Sequence, residues 1–362
     1  MSKSEICCKC LLTKGTPGIS FDKDGVCNYC RDYTLMETEG EERLREQLDK
    51  FRNQKSKYEC MICVSGGRDS TFTLWKIVHD YGMKALAVTY DSPFLSPQAK
   101  ENIEVAIKKL DVDHLYWKYP KNTHFDTTKK HLKIWANRPS SQMIPFVCAH
   151  CKSWNFKFYK IARDHNIPLI IFGSNPLETA SFKKEGFGGA QTYGSLRNIP
   201  RIVGKSFIEL ISNPSYLKAN WLMVLKMYLG ASHNTPYMRI RNRNVSVIRV
   251  FDYIRWNEDL VESTIKENLD WKKSTEVEAS WRFDCRLDYL RRLMYHSVIG
   301  VTELRDLFSK MIREGMITRK DALKRLEIEE KVPKNVVLDV LDSFDLKMND
   351  VGLDINHRLI KD

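Results

Sequence analysis

The chain reads as an α/β protein on a doubly wound parallel sheet, preceded by a small cysteine ribbon and followed by a helical region. Three observations predict this. Short, continuously apolar runs alternate with segments of helical period, the pattern of strands buried on both faces. A Gly-Gly turn joins the first of these runs directly to a helix. Two C-x2-C pairs lie within the first thirty residues. With 362 residues there is material for two or three folded units. The expected division is a ribbon over 1–36, a helical connector over 37–57, the α/β domain over 58–272 and the helical region over 273–362.

In the ribbon, Cys7 and Cys10 form one pair and Cys27 and Cys30 the other, with sixteen residues between the pairs. Each pair can place two thiolates on one metal at zinc-ribbon spacing. Thr16-Pro17-Gly18 and Asp24-Gly25 supply turns around a short strand, Ile19-Ser20-Phe21. Cys8 is a spare thiol that competes for the ligand assignment, and four unligated surface thiols are the plainer alternative. A closed four-thiolate site is structural rather than catalytic, and zinc is the default ion. Glu41 to Lys57 then read as a charged helix with Leu44, Leu48 and Phe51 on one stripe.

The α/β region opens with the strand Met61-Ile62-Cys63-Val64 and the turn Ser65-Gly66-Gly67-Arg68-Asp69-Ser70. A helix follows from about Thr71 to Tyr81, with Phe72, Trp75 and Val78 on one face. Ala85 to Tyr90 is a buried strand closed by Asp91-Ser92-Pro93. Ser96 caps the next helix and Pro97 opens it, with Ile103, Ala106, Ile107 and Leu110 facing inward. His114 to Trp117, Pro168 to Phe172 and Val245 to Arg249 are further strands. Trp154 to Asp164 is helical, with Ser153 as its cap. Farther on, Leu304, Leu307, Phe308, Met311 and Ile312 form an apolar stripe. Gly315 stops that helix, and Thr318 with Asp321 starts another.

The turn at 65–70 carries the first chemical signal. Glycines leave its backbone N–H groups open to an approaching phosphate, and the helix N-terminus adds positive potential. It lacks the lysine of a Walker A loop. An ordinary Gly-rich turn is the plain alternative. The turn resembles the PP-loop of the ATP pyrophosphatases, which implies Mg²⁺-ATP as ligand and AMP as product. Ligands of such sheets sit beyond the carboxyl ends of the strands. Asp91, Gly173, Asn175 and Glu178 fall there, Asp91 toward the adenosine, and Asn175 and Glu178 toward phosphates, Mg²⁺ or acceptor. Each is alternatively a loop cap. Glycines 186, 188, 189 and 194 make a candidate lid, or else a loop without order.

Cys148-Ala149-His150-Cys151 is a second cysteine candidate. A C-x-x-C at a helix N-terminus lowers thiol pKa and invites metal or redox chemistry. With Cys285 it gives three thiolates, a set that suits an iron–sulfur cluster with one open iron. A structural role, or none, is the alternative. Cys60 and Cys63 lie three apart on a strand, face opposite ways and read as core. His79 and His165 read as solvent-side helix residues.

Lys and Arg number 58 against 46 Asp and Glu, a net charge of +12. That balance favours anionic partners such as nucleotides, nucleotide sugars, RNA or a membrane surface. The first residues form no apolar leader, and the longest apolar stretch, Tyr216 to Leu229, is broken by Lys218, Asn220 and Lys226 and is too short to span a bilayer. Ten cysteines without a secretory signal fit a reducing compartment, so a cytoplasmic protein is expected.

The whole sequence resembles the N-acetyl sugar amidotransferase family of surface-polysaccharide and nonulosonic-acid biosynthesis. The likeness rests on the two cysteine pairs with Gly25-Val26-Cys27-Asn28-Tyr29-Cys30 and on the Ser65–Ser70 loop. It rests also on Tyr253-Ile254-Arg255-Trp256, Ser280-Trp281-Arg282-Phe283-Asp284, and Gly315-Met316-Ile317-Thr318-Arg319-Lys320-Asp321-Ala322. Asp91-Ser92-Pro93-Phe94-Leu95 departs from the family form. The resemblance implies adenylation of an acetamido oxygen on a nucleotide-linked N-acetyl sugar, followed by ammonia displacing AMP to leave an acetamidino group. Ser65, Gly66, Gly67 and Ser70 would hold pyrophosphate, Asp69 would bind Mg²⁺ or align the loop, and Arg68 would add charge to phosphate. It further implies a separate glutaminase that supplies ammonia. A competing expectation is a PP-loop sulfurtransferase that thiolates tRNA or a small molecule through Cys148 and Cys151; a zinc-ribbon adaptor with an inactive loop is a third.

Overall fold

The computed structural model describes residues 6–52, 56–182, 211–230 and 235–361, together with 208 and 233. The sheet is five-stranded and wholly parallel: β1 (Cys60–Cys63), β2 (Ala85–Tyr90), β3 (Asp113–Trp117), β4 (Leu169–Phe172) and β5 (Ser246–Arg249), in the order β3-β2-β1-β4-β5. The order reverses between β1 and β4, so the chain leaves these neighbours in opposite directions and opens a crevice at their carboxyl ends. Cys63 pairs with Val88 on one side and Phe172 on the other, which places the Ser65–Ser70 loop and the Gly173–Asn175 turn side by side.

Successive strand residues belong to different apolar clusters. Cys60, Ile62, Ala87 and Ile171 join one, and Met61, Leu86, Val88 and Ile170 join the other, with Phe158, Tyr159 and Ile161 of the helix Asn155–Asp164. Both faces are therefore covered, which is why these strands carry no polar alternation. Cys60 and Cys63 face opposite ways, and burial pushes both thiols up, as expected of core cysteines.

The helix after β1 starts at Arg68, three residues earlier than expected, runs to Trp75, and continues as a π-turn over Lys76–Asp80. Ser96 caps the helix Pro97–Leu110 by accepting from the Ala99 N–H at 3.2 Å. Ser153 is not a cap: its hydroxyl donates to the His150 carbonyl at 2.9 Å, and Trp154 occupies the cap position. The connector helix is shorter than expected, Glu41–Asp49, but Leu44 and Leu48 are fully buried. A helix over Thr123–Asn137 fills the region after β3.

The C-terminal helices include Leu287–Ile299, Glu303–Arg313, Arg319–Glu329 and Lys334–Ser343. Leu304, Leu307, Phe308 and Met311 are buried as the stripe requires, and the Thr318 hydroxyl accepts from the Asp321 N–H at 3.1 Å. The ribbon docks here. The Leu11 N–H donates to Ser309 at 3.2 Å, and the Tyr33 hydroxyl to Glu314 at 2.6 Å. One apolar cluster runs from Cys7 to Leu359.

Candidate active site and metal centre

The loop between β1 and its helix is closed by its own serines. The Ser65 N–H donates to Ser70 Oγ at 3.1 Å, the two hydroxyls are 3.1 Å apart, and Ser70 Oγ donates to the Gly67 carbonyl at 3.1 Å. Gly66 sits at φ +76°, and a Cβ there would fall 2.0 Å from the Ala99 carbonyl oxygen, so only glycine fits. Its carbonyl accepts from Trp271 Nε1 at 3.1 Å and Asn102 Nδ2 at 3.3 Å. The turn is thus held from both sides, with the N-terminus of helix Arg68–Trp75 opening onto it.

Arg68 corrects an expectation. Its guanidinium is 3% exposed, bonded to Asp69 at 2.9 Å, Glu258 at 2.7 Å and Ser280 at 3.0 Å, and stacked over Trp256 at 4.8 Å. Its charge is neutralised inside the protein and is not offered to a phosphate. Arg282 is more accessible, 27% exposed, 3.8 Å from Glu178 and 3.7 Å from Asp288 and Glu303, with the uncommon backbone φ of +52°. Asp69 accepts on Oδ1 from Arg68 and from Trp256 Nε1 at 3.0 Å, while its buried Oδ2 has no hydrogen-bond partner.

Glu178 ends the short turn Pro176–Glu178 beyond β4, 4.0 Å from Arg68. Burial raises its carboxyl to about 7; Asp69 and Asp284 add to the rise, and Arg282 and Arg68 oppose it. Asp284 is a third carboxylate, missing from the sequence-derived set. A Cβ on Gly67 would lie 3.3 Å from it, its backbone carbonyl accepts from the Ser96 N–H at 3.0 Å, and burial pushes its carboxyl up. Asp69, Glu178 and Asp284 are electrostatic neighbours around one loop. Unlike the ribbon cysteines, these carboxylates do not converge on one ion by themselves.

The other expected residues divide. Asn175 caps its turn, Oδ1 accepting from the Leu177 N–H at 2.9 Å, so the loop-cap alternative accounts for its oxygen; its buried Nδ2 lacks a partner. Gly173 is a packing requirement, since a Cβ there would fall 2.5 Å from Thr73 Oγ1 and 2.6 Å from the Asp69 carbonyl. Asp91 follows β2 at the same end of the sheet, partly exposed, its N–H donating to the Trp117 carbonyl at 2.8 Å. The glycines at 186, 188, 189 and 194 lie outside the described residues.

Cys148, Cys151 and Cys285, distant in sequence, come into one neighbourhood. The segment carrying Cys285 is pinned by a bridge to Leu95 and by the Arg286 N–H donating to the Phe94 carbonyl at 2.8 Å. Burial, then Cys151 and Cys148, push the Cys285 thiol well up. Cys151 contradicts the lowered pKa expected of a C-x-x-C pair: burial holds it at about 12, and the helix it sits on, Ala149–Lys152, is a single turn. Beside the trio, His124 Nε2 is 3.8 Å from Cys151 Sγ, and His150 stacks on His124 with both ring nitrogens buried and unpartnered. The trio does not gather on one ion as the ribbon cysteines do.

The ribbon cysteines do converge. The sulfurs of Cys7, Cys10, Cys27 and Cys30 lie within 4.8 Å of one another, with Cys10 and Cys27 at 3.7 Å and Cys7 and Cys30 at 4.0 Å. An ion with four sulfur bonds of about 2.3 Å sets its tetrahedral sulfurs about 3.8 Å apart, so the set fits one zinc-sized ion. Cys8 points away and is exposed, its Sγ 3.4 Å from the Asp24 carbonyl. Arg313 donates to Cys30 Sγ at 3.3 Å and Cys10 Sγ at 3.4 Å, outer support that the spacing did not reveal. The expected Ile19–Phe21 strand is reduced to a single isolated bridge, Phe21 with Cys27, and a second bridge joins Ile6 to Thr13.

No protein-family profile and no curated protein matches the chain. Among solved structures it is similar to an NMN synthetase from Francisella tularensis, with 12% identity, 79% of this chain and 91% of that chain covered, and a TM-score of 0.37. It is also similar to a U34-tRNA thiolase from Methanococcus maripaludis bearing a 4Fe–4S cluster, with 11% identity, 90% and 89% coverage and a TM-score of 0.37. Likeness at these values carries no functional argument.

Proposed function

We propose that the chain is an AMP-forming ATP enzyme that converts the acetamido group of a nucleotide-linked N-acetyl sugar into an acetamidino group. The observation that supports this most is the closed Ser65–Ser70 loop at the switch point of the sheet, ringed by Asp69, Glu178 and Asp284. Backbone N–H groups of the loop and the helix N-terminus would bind the pyrophosphate part of ATP. The unpartnered Asp69 Oδ2 and Asn175 Nδ2 fit a bound polar group. Mg²⁺ would be held chiefly by the phosphates with one or two of Asp69, Glu178 and Asp284, supplying charge neutralisation there, and Arg282 would offset the charge that develops as pyrophosphate leaves.

The acetamido oxygen attacks the α-phosphorus, the bond to pyrophosphate breaks, and ammonia then displaces AMP at the amide carbon. Glu178, with its carboxyl near neutrality, is suited to take the proton that ammonia sheds. Ammonia comes from a separate glutaminase, and the ribbon holds structural zinc.

The test is the purified chain with ATP, Mg²⁺ and ammonium against a panel of UDP-N-acetyl sugars. AMP and pyrophosphate formed in step with exchange of one oxygen for NH in the sugar support the reading; AMP release without any change in a sugar refutes it. If glutamine alone serves as well as ammonium, the separate glutaminase is wrong.

One observation favours a second reading. Asp284 touches the loop, and Cys285 beside it is close to Cys148 and Cys151, which fits a sulfur-transfer enzyme acting on tRNA or a small molecule. Iron with acid-labile sulfide in anaerobically purified protein, lost on Cys148→Ser, would select it.

A further inference from the structure

Residues 210–251 contain no Asp or Glu, one of two such long stretches, the other being 127–163. The same stretch carries Lys218, Lys226, Arg239, Arg241, Arg243 and Arg249. Arg249 pairs with Asp252 at 2.7 Å, while the other five side chains are exposed.

The apolar residues of this stretch split in two. On the helix Trp221–Gly230, Met223, Val224 and Met227 are buried, but Leu222 and Leu225 are 64% and 54% exposed. The helix Pro236–Arg241 packs against it, joined by the Thr235 hydroxyl donating to the Leu229 carbonyl at 2.7 Å. There Met238 is fully buried, whereas Ile240 is 78% exposed and Tyr237 lies outward beside it. Leu217, in the turn just before these helices, is likewise exposed. A helix apolar on nearly every side is normally enclosed by protein or sits in lipid. This one is enclosed on one side alone.

We propose that the face formed by helices 221–230 and 236–241 docks on an anionic lipid bilayer surface. Charge complementarity selects this occupant. Five exposed cations with no acid among them match a sheet of lipid phosphates, and the aliphatic side chains between them match the acyl boundary just beneath. Nucleic acid would satisfy the cations but leave Leu222, Leu225 and Ile240 in water. Tyr237, 40% exposed, is a residue type that favours the headgroup level. No helix among the described residues is long and apolar enough to cross a membrane, so the contact is peripheral. The inference does not depend on the sugar or sulfur chemistry above.

The experiment is co-sedimentation of the full chain with phosphatidylcholine vesicles, with and without phosphatidylglycerol. Binding is expected to be at least about tenfold stronger with phosphatidylglycerol and to weaken as salt rises. Leu222→Ser/Leu225→Ser should lower it about tenfold with an unchanged melting curve, because both side chains already face water. Arg241→Gln/Arg243→Gln should reduce the preference for the anionic vesicles. Absence of binding, equal binding to neutral vesicles, or undiminished binding by both variants overturns the proposal. So does a dimer, or a retained RNA, that the Leu222/Leu225 variant abolishes while vesicles stay unbound.

Discussion

Glu178→Gln should flatten the dependence of stability on pH. The Glu178 carboxyl titrates at about 7 in the fold, against an ordinary 4.5, because it is buried and faces Asp69. The folded protein therefore binds this proton more tightly than the unfolded chain does, and stability falls as pH rises from 4.5 to 7. At about 1.4 kcal/mol per pH step the interval amounts to about 3 kcal/mol, most of it lost between pH 5 and pH 8. Glutamine resembles the protonated carboxyl and has no such loss. Urea unfolding of both proteins without nucleotide or Mg²⁺ measures it: near-equal stability at about pH 5, and the variant more stable by about 2–3 kcal/mol at about pH 8. Activity should move the other way, down about 100-fold, since glutamine neither accepts the proton nor holds the cation as a carboxylate does. Parallel stability profiles would refute both the raised pKa and the proton-acceptor role built on it.

Gly66→Ala drives a Cβ into the Ala99 carbonyl at a positive φ, and calorimetry should find ATP binding weakened at least about tenfold, with a stability loss of about 1–3 kcal/mol. Unchanged affinity would remove the loop from the phosphate site. Arg313→Ala withdraws the donor shared by Cys10 and Cys30 and should weaken zinc retention about tenfold in a chelator competition. Glu258→Gln leaves Arg68 and Arg325, each 2.7 Å from that carboxylate, short of a counter-charge; urea melts should record a loss of about 3 kcal/mol. A loss under about 1 kcal/mol would mean that the surrounding acids compensate.

What the sequence made legible was local. Apolar runs between turns gave the five strands of the large sheet to within a residue or two, most sharply β1, β2 and β4, which are buried on both faces; the two-residue pair Val332–Pro333 and Ile360–Lys361 is too short to leave such a run. Ser96, Thr318 and Gly315 marked helix ends because capping chemistry acts within three residues. Arg68 was misjudged for the opposite reason. Its partners Glu258 and Ser280 lie 190 and 212 residues away, and adjacency to the loop said nothing of where its side chain would turn. Asp284 and Arg282 stood within a segment that carried the family resemblance, but only the return of the chain to Ser96 and Gly67 gives them a place at the loop. For Cys151, burial outweighed a one-turn helix, and burial is not readable from a spacing.

The distance in sequence between Arg68 and Ser280 has a consequence for how the molecule is made. A ribosome that adds about 5–20 residues each second needs about 10–40 s to pass from the loop to the segment that completes it. Asp69 is present from the next step, but Glu258 arrives 190 residues after Arg68 and the Ser280 hydroxyl, the last partner, 212 residues after it. Until Leu169–Phe172 is made, the β1 edge that β4 will cover stands open to other strands. A truncation just before residue 280 leaves Arg68 with its carboxylates but without the Ser280 hydroxyl that fixes the returning segment to it.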